Sequence, residues 1–181
     1  MDNTELDDRV MSGVTETIVR SQRRLFKLCM RGEWGKVVDT YKKDKIAHTA
    51  RITRTSDTAL HLAVTDDQYD VVRELVKLIC SEALAIQNER GNTALHLAAS
   101  MGSVEMCECI ASAEPSLLRV RNVDGETPLF LAALHGTKEA FFCLHYRSTP
   151  DSRNSYYDSY SMCTRNDGDT ILHSAIAGDF F

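Results

Sequence analysis

Thr93-Ala-Leu-His-Leu-Ala98 decides the fold, because it recurs. With small changes the same block stands as Thr58-Ala-Leu-His-Leu-Ala63, Thr127-Pro-Leu-Phe-Leu-Ala132 and Thr170-Ile-Leu-His-Ser-Ala175. The threonines lie 35, 34 and 43 residues apart. A fixed period of ~20–50 residues marks a stack of like units, each too small to bury its apolar face alone. The third spacing is that period plus an insertion of nine residues. A worn earlier copy opens at Leu25, 35 residues before Leu60. It runs Leu25-Phe-Lys-Leu-Cys-Met-Arg-Gly32, and Val37 and Val38 follow where a second helix belongs.

Each block has the chemistry of a short helix. Thr58, Thr93, Thr127 and Thr170 are N-caps, whose hydroxyls accept an otherwise orphaned backbone N–H. Pro128 suits the first helical turn, where its missing N–H costs nothing. Leucine and alanine then recur at helical spacing and make a narrow apolar face. Gly102 and Gly136 stop the helix. A second amphipathic segment follows each time, over 69–79, 104–111 and 138–144. Asn88-Glu-Arg-Gly91, Asn122-Val-Asp-Gly125 and Asn166-Asp-Gly168 then supply residues that tolerate the positive φ of a tight turn. The unit is helix, turn, helix, hairpin finger, and the fold class is all-α.

Gly91-Asn-Thr-Ala-Leu-His-Leu-Ala-Ala99 and Gly125-Glu-Thr-Pro-Leu-Phe-Leu-Ala-Ala133 resemble the ankyrin-repeat family. The resemblance covers about residues 25–181. It divides the chain into a flexible acidic and polar segment over 1–22 and a solenoid over 23–181. The solenoid comprises a degenerate repeat 23–55, repeats 56–90, 91–124 and 125–166 with an insertion near 147–160, and a partial repeat 167–181. Within the family, Gly125-Glu-Thr-Pro-Leu-Phe-Leu-Ala-Ala-Leu-His-Gly136 and the long spacing before Thr170 look like plant ankyrin proteins of the accelerated-cell-death type. That group continues into a membrane-spanning C-terminal domain. The narrower resemblance therefore implies the cytosolic part of a membrane-tethered regulator of stress or defence signalling. Three positions depart from the family pattern. Ser56 replaces the glycine of the first finger, which predicts a looser turn. Asp67 replaces a helix-breaking glycine. Phe130 replaces the motif histidine and removes one polar bridge.

Composition excludes other classes. A formal net charge of -5 gives no general attraction to nucleic acid or an anionic membrane. The best apolar run, 71–80, contains Arg73, Glu74 and Lys77 and is too short to span a bilayer. The N-terminus is too polar for a secretory signal, so the six cysteines are expected to be reduced thiols in a cytoplasmic protein. Cys107 and Cys109 point to opposite sides of a helix and cannot chelate together; Cys109 is expected to help fill the core. His61, His96 and His173 sit in different repeats without zinc-type local spacing. Their expected role is structural, bonding the capping threonine and a neighbouring backbone group, as the resemblance implies. No nucleophile elbow or phosphate-binding loop occurs. The reading is a non-enzyme with no metal, cofactor or small-molecule substrate.

The resemblance places partner contacts on finger tips and inner-helix ends, because a solenoid offers an extended concave surface. The positions so carried over are Arg54, Asp57 and Asp66; Gln87, Glu89, Arg90, Asn92, Ser100 and Met101; and Arg121, Asp124, Glu126, Leu134 and His135. Arg90, Met101 and Leu134 are the expected anchors. The partner is a protein, since mixed charges around two apolar side chains suit one. Tyr146 to Tyr160, rich in tyrosine and serine, reads as an elongated loop. The partial last repeat ends on Phe180-Phe181 without a polar cap, which predicts an incomplete stack that self-associates through that end.

Overall fold

The computed structural model describes residues 3–148 and 161–178. Among the described residues ten α-helices follow one another: α1 (Asn3–Met30), α2 (Trp34–Lys43), α3 (Ala59–Thr65), α4 (Tyr69–Leu78), α5 (Ser81–Leu84), α6 (Ala94–Met101), α7 (Val104–Ala113), α8 (Pro128–Leu134), α9 (Lys138–Ser148) and α10 (Ile171–Ala177). Short 3-10 turns occupy Lys45–Thr49 and Pro115–Arg119. The described residues contain no strand beyond one antiparallel bridge, Thr164 to Thr170.

Two layers of helices form. α1, α3, α6, α8 and α10 contact one another in that order as an inner row, and α2, α4, α7 and α9 do so as an outer row. Each inner helix except α10 also packs on the outer helix that follows it. This is a repeat solenoid, in which each unit meets only its neighbours.

The repeated block produces the inner row. At Thr58, Thr93 and Thr170 a capping box closes the helix start: the threonine hydroxyl accepts the N–H three residues on, and the histidine there accepts the threonine's own N–H. Leu60, Ala63 and Val64 in α3 and Leu95, Ala98 and Ala99 in α6 are buried to 2% exposure or less. Burying one such leucine is worth roughly 1.5–3 kcal/mol, and the alanines let successive inner helices come close. α6 stops where Gly102 takes φ 78°. Asp67 takes φ 53° at the matching place after α3, so the left-handed geometry survives without glycine. Cys107 is the fully buried thiol of its pair, while Cys109 packs half-buried against the core.

The segment before residue 23 is helical from Asn3, and α1 runs unbroken across that boundary into the first repeat. Leu25 and Cys29 bury its C-terminal part, so the helix extends upstream from an anchored end. Of the loop expected over Tyr146 to Tyr160, residues 146–148 instead form the last turn of α9; its remainder, 149–160, and the terminal Phe180-Phe181 lie outside the described residues.

Candidate interaction surface

Between one outer helix and the next inner helix the chain turns back as a finger. Finger 1 (51–57) closes with Ile52 N–H on Asp57 O at 2.8 Å, finger 2 (87–92) with Asn88 N–H on Asn92 O at 2.9 Å. Finger 3 (121–126) closes with Asn122 N–H on Glu126 O at 2.9 Å and finger 4 (164–169) with Arg165 N–H on Asp169 O at 3.0 Å. Gly91, Gly125 and Gly168 supply the positive φ at the turn. Ser56 adopts φ 62° at the same place, so the first finger keeps the left-handed corner; its difference is one extra residue between the paired groups.

The fingers are joined tip to tip. Glu89 N–H donates to Thr55 O at 2.9 Å, Val123 N–H to Arg90 O at 3.0 Å, and Asn166 N–H to Asp124 O at 3.2 Å. At the finger bases a long side chain crosses each junction. Arg51 donates to Gln87 O at 2.5 Å, and Gln87 to Gly91 O at 2.6 Å and Arg121 O at 2.8 Å. Arg121 donates to Gly125 O and to Thr164 O, the latter at 2.7 Å. A third tie links Asn88 Nδ2 to Asp57 Oδ1 at 2.8 Å and Asn122 Nδ2 to Asn92 Oδ1 at 3.0 Å. Burial pushes the Asp57 carboxyl up, but hydrogen bonds from Thr55, Asn88 and Thr53 outweigh it and hold the group below its ordinary range.

The motif histidines carry the inner helices onto the next finger. His61 Nδ1 accepts Thr58 N–H at 3.3 Å, and its Nε2 lies 3.0 Å from Asn92 O. His96 Nδ1 accepts Thr93 N–H at 3.1 Å, and its Nε2 lies 3.1 Å from Glu126 O. A nitrogen that accepts an amide N–H carries no proton, so both rings are the neutral Nε2–H tautomer donating to those carbonyls. Burial holds both imidazoles below their usual range, His96 at about 4. Phe130 cannot make this bridge. There Thr127 Oγ1 accepts Phe130 N–H at 3.2 Å and donates to Met162 O at 2.8 Å, so the capping threonine reaches the next segment itself.

A family model described as ankyrin repeats, in three copies, matches residues 25–118 and 60–154. The chain belongs to the ankyrin-repeat family. Comparison with curated proteins gives no match. Ankyrin repeats are protein-interaction modules, and the finger stitching above is what holds this ankyrin stack's outward-facing side chains at fixed spacing.

The carried-over contact residues divide into two groups. Asp57, Gln87, Asn92, Arg121 and Glu126 are tied into the finger framework, and Glu126 is only 5% exposed. Arg54, Glu89, Arg90 and Asp124 stand exposed at finger tips, with no side-chain hydrogen bond or ion pair among the described residues. At the ends of the inner helices Asp66, Met101 and His135 are exposed, Ser100 and Leu134 half-buried. Asp66 Oδ2 accepts Trp34 Nε1–H at 3.1 Å, and Ser100 Oγ donates to Leu97 O at 2.9 Å. Pro128 is buried in the first turn of α8, and His173 repeats the capping contact on exposed α10. Arg51 was not legible as a framework residue; its only signal is that Arg51, Gln87 and Arg121, long side chains with N–H donors, recur 36 and 34 residues apart. Among the described residues no group of three or more His, Cys, Asp or Glu is placed to hold a metal, and no helix is long and apolar enough to cross a membrane.

Proposed function

We propose that this chain binds a partner protein along its finger tips and inner-helix ends, with Arg90, Met101 and Leu134 as anchors. The observation that carries the reading is the separation of roles within each finger. Framework side chains lock the backbone from one tip to the next, while Arg54, Glu89, Arg90 and Asp124 project from it unspent. Met101, 45% exposed at the end of α6, adds an apolar contact beside them. A finger backbone already locked in place loses little entropy on binding, and interface energy concentrates in a few anchors. The chain is read as a non-catalytic scaffold acting in the cytoplasm.

Arg90→Ala and Met101→Ala test this against a partner recovered with the wild-type chain. Each should weaken binding by about tenfold or more, with the melting midpoint unchanged. Equal affinity in both variants would remove the finger-tip reading.

A second reading is favoured by α10. Leu172 and Ile176 are 64% and 69% exposed, whereas their counterparts Leu95 and Ala99 are buried under the next repeat. That face suits another repeat-like unit, either from a second copy or from the membrane-anchored, accelerated-cell-death-type protein that the sequence resembles. Concentration-dependent sedimentation that Leu172→Lys abolishes would support self-association; a monomer at every concentration would exclude it.

A further inference from the structure

Residues 18–54 hold eleven Lys and Arg against three Asp and Glu, a net +8 within a chain of net -5. Five of these cations are exposed: Arg20, Arg23, Arg24 and Lys27 on α1 and Arg31 just past its end. At 3.6 residues per turn they fall within about 100° of arc, on the side away from buried Leu25 and Cys29. Glu16 lies beside them, Asp39 and Asp44 line a hollow with Arg20 and Arg24, and Glu33 lies 3.8 Å from Arg31. Three cations elsewhere sit against carboxylates: Arg73 meets Asp70 at 3.2 Å, Lys77 meets Glu74 at 3.3 Å, and Arg165 meets Asp169 at 2.9 Å. Among the described residues Arg20, Arg23, Arg24 and Lys27 pair with no carboxylate.

The stripe borders a cleft with a structural cause. Fingers 2, 3 and 4 each dock their upstream edge on the finger before. Finger 1 has none before it, because α1 continues as helix through that place. A cleft of about 500 Å³ opens between α1 and finger 1, with Arg23, Arg51 and Arg54 on its walls and Val19, Phe26 and Ile52 as its apolar surface. Val19 and Phe26 are 38% and 37% exposed. Arg54 N–H corresponds to the Glu89 and Val123 N–H groups that join later fingers, and it has no acceptor among the described residues.

We propose that this cleft takes an acidic, extended segment of a partner protein carrying one apolar anchor. The segment's carboxylates meet Arg23 and Arg54, its anchor lies on Val19, Phe26 and Ile52, and a backbone carbonyl takes the Arg54 N–H in the manner of strand addition to an open edge. Arg51 already donates to Ser56 O and Gln87 O and fixes the wall. Cations on opposing walls of a concavity fit an inserted chain better than a flat bilayer. The proposal rests on the protein-binding function above and specifies the chemistry of its first contact.

The probe is a short fluorescein-labelled peptide of Asp and Glu around a central phenylalanine, followed by anisotropy. The wild-type chain should bind it in a salt-sensitive way. Arg23→Glu/Arg54→Glu should weaken binding about tenfold or more, since each exposed charge pair is worth up to ~1 kcal/mol and reversal adds repulsion. Phe26→Ser, which leaves every charge in place, should weaken it as well, and Arg90→Ala should not. Equal binding by wild type and the double-charge variant, at matched melting midpoints, overturns the proposal. So does co-sedimentation with phosphatidylserine vesicles when the peptide fails to bind, which would assign the stripe to lipid. A partner released by Arg90→Ala but retained by Arg23→Glu/Arg54→Glu leaves the finger-tip function standing and removes the cleft.

Discussion

Acid should loosen the stack through its buried histidines, and His96 sets the scale. Its ring is fully buried. Desolvation holds its imidazole at about 4 against an ordinary 6.5, and the Glu126 and Val120 carbonyls that favour a proton do not overcome it. In the unfolded chain the same imidazole titrates normally. Between these two pH values the unfolded state binds a proton that the native state refuses, so stability is full above pH ~6.5 and falls as the pH drops toward ~4. At 1.36 kcal/mol per unit the loss from this one residue is about 3 kcal/mol, a large share of a typical folding free energy of ~5–15 kcal/mol. His61 adds to it with the same sign. Asp57, whose carboxyl is held low, contributes only in a separate window, as the pH falls through and below its ordinary value of 3.8. Urea unfolding followed by far-UV circular dichroism from pH ~7.5 to ~4.5 measures the slope. His96→Phe, which copies Phe130, supplies the contrast. At neutral pH it should cost about 1–3 kcal/mol, because Thr93 N–H and Glu126 O lose their partner. It should also flatten the acid limb, so that variant and wild type converge as the pH falls. Parallel decline of the two midpoints would refute the assignment of the slope to His96.

Gly91→Ala should destabilise more than Gly168→Ala. Both need a positive φ, but a Cβ on Gly91 would stand 2.6 Å from Val123 N, while one on Gly168 meets nothing within 4 Å. The expected costs are about 2 kcal/mol or more against about 1 kcal/mol, read from thermal melts. Arg121→Ala frees the Gly125 and Thr164 carbonyls and should cost about 1–2 kcal/mol; faster amide exchange at Arg165 and Ile171 than at Asn88 would place the loss in the last repeat. Burial pushes the Cys29 and Cys107 thiols up to about 12, while Cys80 is exposed. Iodoacetamide at neutral pH should therefore label Cys80 first and reach Cys29 and Cys107 only on unfolding; early labelling of Cys107 would contradict the packing of α7.

The sequence by itself determined the repeat unit, the inner helices and where they begin. These depend on near neighbours: a threonine, a histidine three residues on, and leucines and alanines at helical spacing form the same capped, buried helix wherever they recur. The outer helices were legible for the same reason: expected over 69–79, 104–111 and 138–144, they run 69–78, 104–113 and 138–148. Phe130 was legible as a lost bridge, though not as the site where Thr127 would take over. Tertiary structure decided which finger residues are tied into the framework and which stand exposed. Gln87, Asn92 and Glu126 look like Glu89 and Arg90 in the sequence, since all are polar and lie in turns. They part company only because the next finger arrives some 34 residues later, draws Gln87 and Asn92 into hydrogen bonds and sets Arg165 3.7 Å from the Glu126 carboxylate. The basic stripe on α1 was hidden for a related reason. Its cations are spread through a polar segment with no repeat motif, and a continuous helix brings them onto one face beside a finger that has no neighbour upstream.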